Sequence, residues 1–259
     1  MPTRQKTLSV LFATFFISIT CLAADLYQAG TITALLKGLY QPTITVKQAV
    51  ENADIGLGCG VGLGEVTFIN GKCFVAGPEG RVKQLDDSSS LAFFTGVKFL
   101  PKITYTVNNI SSVKELESNI DKHLTSNNIF YAIKITGEFN VVNARSEDVD
   151  TPPYTPLLEW MKDHQHKFNF KKIRGTLIGF KCPSLIKGIG VVGYHIHFIS
   201  KEEKVGGHVL GVNIKNAKIE IEPISDMKLI LPKTKEYLNA DMSISKKSHA
   251  DFNKLETKK

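Results

Sequence analysis

The sequence has only four cysteines in 259 residues, and no two of them stand in a Cys-x-x-Cys spacing. A cysteine-based zinc site and a thioredoxin-like redox motif are thereby excluded. Beyond the first two dozen residues, no apolar run approaches the roughly 20 residues needed to span a bilayer. A nucleotide loop is missing too. GLGCGVGLGE, residues 56–65, offers Gly-x-Gly repeats, but strand-like EVTFI follows where a dinucleotide loop would open a helix. Nor is there a basic face for nucleic acid. The formal charge is +7, Arg4 and Lys6 belong to an N-terminal leader, and five lysines in residues 245–259 oppose only Asp251 and Glu256. What remains on the body is small and scattered, so no nucleic-acid partner is expected.

The leader is the first positive feature. MPTRQK is a short basic start, LSVLFATFFISIT is an apolar run, and CLAAD offers small residues for cleavage near Ala23. This is the three-part layout of a secretory signal peptide over residues 1–23, and it predicts an exported chain, periplasmic or secreted, without a membrane anchor after cleavage. Thr20 before Cys21 is a poor match to a lipoprotein signal. Cys59, Cys73 and Cys182 remain in the mature chain, and their spacing does not decide whether a pair is bridged.

With 42% hydrophobic residues, 15 Phe and 7 Tyr, the chain has the material for a sizeable, strand-rich core. Asn70-Gly71 between EVTFI and KCFVA predicts a tight hairpin. Thr45 and Ser112 are placed to cap short helices, the second with Glu115 three residues on and apolar positions at 113, 116, 120 and 124. FYAIKITGEFNVVNARS reads as strand, glycine turn and strand, and TPPYTPLLEWMKDHQH as a proline-rich approach to a helix. The expected fold class is α+β and predominantly strand, with two sheet-containing halves. The N-terminal half covers residues 24–160, the C-terminal half residues 161–244, and a lysine-rich tail residues 245–259.

The stretch GYHIHFISKEEKVGGHVL holds three of the seven histidines. His195 and His197 are two apart, so on a strand they share a face, about 7 Å apart at the backbone. KEEK is the polar break. A hairpin centred between Glu202 and Glu203 places His208 directly opposite His197, with side chains about 5 Å apart. Tyr194, Ile196 and Phe198 then take the other face. Three neutral imidazoles suit a divalent ion, Zn2+ first, and leave a coordination position open for water or substrate. Gly193, Gly206 and Gly207 are expected to let backbone approach that ion. The bland alternative is a hairpin with three solvent-facing histidines. His123 is assigned to a helix surface, and His164 and His166 point away from each other.

Two further residues are candidates. Glu65 opens a predicted strand after the glycine-rich turn. Arg145 closes another, where it either pairs with Glu147 or Asp148 at the surface or holds a substrate carboxylate.

RGTLIGFKCP, GYHIHFIS and GGHVL in that order, with GEFNVVNARS and PPYTPL upstream, resemble the alpha-acetolactate decarboxylase family over nearly all of the mature chain. The resemblance implies conversion of 2-acetolactate to acetoin and CO2 with one zinc ion, in a homodimer. It implies His195, His197 and His208 as metal ligands and Glu65 and Arg145 as active-site residues. It also implies a glutamate from the C-terminal segment folded over the site, for which Glu256 is the candidate. The turn departs from the family pattern: Gly58-Cys59 and Leu63-Gly64-Glu65 stand where Gly-Thr and Leu-Asp-Gly-Glu are usual. Two competing readings are an exported, non-catalytic metal-binding protein and a cupin-like metal oxygenase.

Overall fold

The computed structural model describes residues 25–243 and 246–257. The predicted leader, with its cleavage point near Ala23, lies outside the described residues.

Seven strands come first: β1 (Asp25–Ala29), β2 (Ile44–Thr45), β3 (Ile55–Gly60), β4 (Glu65–Ile69), β5 (Lys72–Ala76), β6 (Val82–Leu85) and β7 (Ser90–Val97). Five more build a second sheet: β8 (Ile103–Ile110), β9 (Phe130–Glu147), β10 (Gln165–Cys182), β11 (Gly193–Ser200) and β12 (Gly206–Ile224). The chain then returns to the first sheet as β13 (Asp226–Ile230), parallel to β1. The helices are α1 (Ile32–Leu36), α2 (Val46–Asn52), α3 (Val113–Asp121), α4 (Leu157–His164), α5 (Lys235–Asn239) and α6 (Lys246–Thr257). The first sheet runs β13-β1-β7-β3-β4-β5-β6, with β2 on β7. The second runs β11-β10-β9-β12-β8, and β11 also pairs with β12.

The expected α+β, strand-rich class is what forms. The sheets, however, do not divide at residue 160: β8 and β9 already belong to the second sheet, and β13 completes the first. The reason is that α4, which marks the apparent break in the sequence, is a short connection between two long antiparallel neighbours. β9 and β10 pair from Glu147↔Gln165 to Tyr131↔Lys181.

That pairing corrects a second expectation. β9 contains no glycine turn; it is one strand of 18 residues. Gly137 is there because the neighbouring strand is too close for a side chain: an added Cβ would lie 2.2 Å from the Asn216 carbonyl oxygen. The local signals elsewhere are realised. Asn70 and Gly71 take φ of 52° and 74°, as a type I′ hairpin requires. Thr45 and Gln48 form a reciprocal capping box. Ser112 caps α3, but the Glu115 carboxylate accepts from Ser111 rather than from Ser112.

Period-two alternation sorts the second sheet into two faces. Ile133, Ile135, Phe139, Ile196 and Phe198 pack with Leu116 and Ile120 of α3. Ala132, Ile178, Phe180 and Ile199 face the first sheet, against Leu57, Ile69 and Phe74. His195 and His197 are in step with Ile199, so they point toward the first sheet. That orientation positions the site.

Candidate metal centre

The hairpin register is the one the spacing predicts: His197↔His208, Phe198↔Gly207 and Ile199↔Gly206. On its other side β12 pairs with β9, and there His208 stands opposite Arg145. His197, His208 and Arg145 therefore occupy one rung across three adjacent strands, with their side chains on a common face. His195 is added by its two-residue offset from His197. The first sheet supplies Glu65 at the start of β4, and the Ser146 hydroxyl donates to the Ala76 carbonyl at 2.6 Å, tying β9 to β5 beside it.

The three rings converge. Their candidate ligand atoms all lie within 4.8 Å of one another. His197 Nδ1 is 2.8 Å from the Val66 carbonyl oxygen, which can only accept, so the hydrogen sits on Nδ1 and the Nε2 lone pair faces inward. His197 Nε2 lies 3.1 Å from His195 Nε2. In a tetrahedral zinc site with bonds of about 2.0–2.1 Å, two ligand nitrogens stand about 3.3–3.4 Å apart. Burial holds all three imidazoles below their usual range: His197 is pushed down to about 4, and His195 and His208 well below 6.5. They are neutral at physiological pH, the state a metal needs.

Around this trio the charges are dense. Arg145 is 2% exposed. Its Nη2 donates to Glu256 Oε1 at 2.6 Å and lies 3.8 Å from Glu65 Oε1. Burial works against the guanidinium charge, but Glu256, Glu65 and Glu147 outweigh it and raise its pKa. Glu65 Oε2 is 3.2 Å from His197 Nε2, and Glu256 Oε2 is 3.6 Å from His195 Nε2 and 3.8 Å from His208 Nδ1. Burial pushes the Glu65 carboxyl up to about 7, against the pull of Arg145.

The residues present fit a divalent ion on two independent grounds. His208 Nδ1 is buried without a hydrogen-bond partner, an orphan that a ligated ion would satisfy. And three buried carboxylates around one guanidinium carry a net charge of about −2 when ionised, which a 2+ ion neutralises.

Beside the histidines lies a cavity of about 50 Å³, bounded by Glu65, Arg145, Glu147, His195 and Glu256 and by apolar walls that include Phe93, Met161 and Phe252. Space of that size holds about four water molecules. Arg145 Nε and Nη1 are buried without hydrogen-bond partners. Phe252 and Glu256 come from α6, so the lysine-rich tail is packed over the site.

Every candidate residue is thus in one place: His195, His197, His208, Glu65, Arg145 and Glu256. His123, His164 and His166 are not. His123 stacks on Tyr105 and His164 on Trp160, while His166 pairs with Asp148. Two expectations are corrected. Gly206 and Gly207 serve strand packing rather than an ion; a Cβ on them would lie 2.5 Å from the Phe198 carbonyl and 2.6 Å from the Arg145 carbonyl. Gly193 has open space beside it. Arg145 does not pair with Asp148 at the surface. One residue was missed, Glu147, although its two-residue offset from Arg145 on a strand puts it on the same face. Cys59, Cys73 and Cys182 are all free thiols and buried.

The comparisons with known proteins give the family and the fold. A family model described as alpha-acetolactate decarboxylase matches residues 26–244. The alpha-acetolactate decarboxylase of Brevibacillus brevis is 35% identical over 219 residues, covering 84% of this chain and 76% of its own. That of Bacillus subtilis strain 168 is 32% identical over 220 residues, covering 85% and 86%. The crystal structure of the Bacillus subtilis strain 168 enzyme superimposes with a TM-score of 0.86 at 31% identity, over 90% of this chain and 99% of that one. A Staphylococcus aureus protein of unknown function, described as similar to alpha-acetolactate decarboxylase, superimposes with a TM-score of 0.84 at 28% identity, over 89% and 99%.

Proposed function

Because this chain belongs to the alpha-acetolactate decarboxylase family and is a carboxy-lyase, we propose that it converts 2-acetolactate to acetoin and CO2 with a zinc ion held by His195, His197 and His208. The observation that carries this reading is the shared rung of His197, His208 and Arg145. It sets two imidazole ligands and a cation for the substrate side by side without help from any loop.

The reaction breaks the bond between the substrate carboxylate and its carbinol carbon. The electron pair passes toward the adjacent keto oxygen, and a proton must then reach the carbon that lost CO2. Zinc when bound supplies a Lewis acid that stabilises negative charge on oxygen. Arg145 supplies the buried cation for the substrate carboxylate, with Nε and Nη1 free of protein partners. Glu65 and Glu256 flank the guanidinium and the imidazoles, and Glu65, fixed on a strand rather than on the tail, is assigned the proton delivery. The apolar walls and α6 exclude water, which strengthens each of these interactions.

Export, proposed on the leader over residues 1–23, places this chemistry outside the cytoplasm, and the family resemblance supports a homodimer. The test of the main reading is incubation of the mature protein with racemic 2-acetolactate, with acetoin assayed before and after chelation. Acetoin that appears, stops on chelation and returns with zinc supports it; full turnover in the chelated protein contradicts it.

A further inference from the structure

Glu147 is the charged residue of the site that the reaction above leaves without a task. It is 3% exposed, follows Arg145 by two on β9, and lines the same cavity. Its Oε1 accepts from the Gly64 amide at 3.0 Å. Gly64 directly precedes Glu65 and ends a turn in which Gly62, Leu63 and Gly64 all have positive φ, of 74°, 83° and 94°. For leucine such a backbone is costly, so neighbours must hold it. Glu147, the last residue of β9, does so through Gly64, and Asp150 just beyond the strand does so through its amide to the Gly62 carbonyl at 2.7 Å.

The other oxygen, Oε2, is buried without a hydrogen-bond partner. Burial, and then the Glu65 charge, push the Glu147 carboxyl well above the usual range.

We propose that Glu147 is a positioning residue for the decarboxylation, holding the Gly64 amide so that Glu65, the next residue, is aimed at the cavity. This rests on the reading of Glu65 given above. The carboxyl acts through Glu65 and does not itself touch substrate.

The test compares Glu147→Gln and Glu147→Leu in the zinc-loaded enzyme. Gln keeps an acceptor for Gly64, so kcat stays within about threefold of the wild type. Leu removes that bond at similar volume. A misplacement of about 1 Å costs on the order of 100-fold, so its kcat falls by about 10- to 100-fold, with KM and zinc content unchanged. The Gly64 amide gives a readout independent of turnover: its proton resonance and slow exchange persist in the Gln variant and are lost in the Leu variant. Glu147→Asp, one methylene short of Gly64, replaces Leu should that variant not accumulate, and is expected to behave like it. Wild-type kcat in the Leu variant, an equal fall in Gln and Leu, or an unmoved Gly64 amide overturns the proposal. A wild-type enzyme inert toward 2-acetolactate sinks only the parent reading, since the Gly64 amide still reports on Glu147.

Discussion

Arg145 and His208 are direct cross-strand partners in the β9–β12 pair. That single contact joins the cation to the imidazole cluster, and several expectations depend on it.

Replacing His208 with alanine removes the middle residue of the rung. Zinc content, measured by elemental analysis, is expected to fall from one per chain to a small fraction. Acetoin formation falls at least about 100-fold, as expected when a metal that stabilises charge is lost. Retention of zinc with full activity would place the ion elsewhere.

The planar donor set of the guanidinium matters more than its charge. Arg145→Lys keeps the cation but loses that rigid set of N–H donors, so kcat/KM is expected to drop about 100-fold or more. Glu256→Gln keeps an oxygen as acceptor for Arg145 and is expected to cost less, about 10-fold in kcat/KM. Steady-state kinetics of the two variants, ranked in the reverse order, would contradict the assignment.

Gly137→Ala probes the close approach of β9 and β12. Its Cβ would meet the Asn216 carbonyl oxygen at 2.2 Å and the Ala217 Cβ at 2.6 Å, backbone and neighbouring strand rather than a flexible side chain. The overpacking is expected to destabilise the fold by about 1–3 kcal/mol, read as a lower Tm. An unchanged Tm would mean the strands can part at no cost.

The thiols give a pH-dependent expectation. Burial pushes Cys73 and Cys182 up to about 12, and burial, with nearby Glu147 and Glu65, raises Cys59 well above the usual thiol range. The thiolate is the reactive form, so the native protein is expected to leave a thiol reagent unconsumed at pH 8, whereas the unfolded chain reacts. The sign for stability follows. The folded pKa values are raised above the unfolded value of about 8.5, so this contribution is complete below about pH 8.5 and is lost as pH rises toward 12. Rapid labelling of Cys73 in the native state would contradict its burial.

Much of the site was legible in the sequence because it is made by one hairpin. The two-residue offset of His195 and His197 and the polar break at KEEK determine a register, and register determines which side chains meet. The rung to Arg145 was not legible. It depends on β9 pairing with β12 across more than 60 residues of chain, with register shifts between Val209 and Gly211 and near Asn213–Asn216 that no local pattern announces. Glu147 was hidden for a different reason. An acid beside Asp148 and ahead of two prolines reads as surface, and only the approach of the Gly62–Gly64 turn buries it. Gly137 misled because a glycine within a strand signals a turn and a close contact equally well.

The central claim is that three imidazoles of one hairpin hold one ion with a position left for substrate. Anomalous diffraction at the zinc edge from crystals of the mature, zinc-loaded protein tests it most directly. A single peak about 2.0–2.1 Å from nitrogens of His195, His197 and His208, with no fourth protein ligand completing the shell, is the expected result. A peak that omits one of these rings, or an ion whose four positions are all filled by protein, would contradict it.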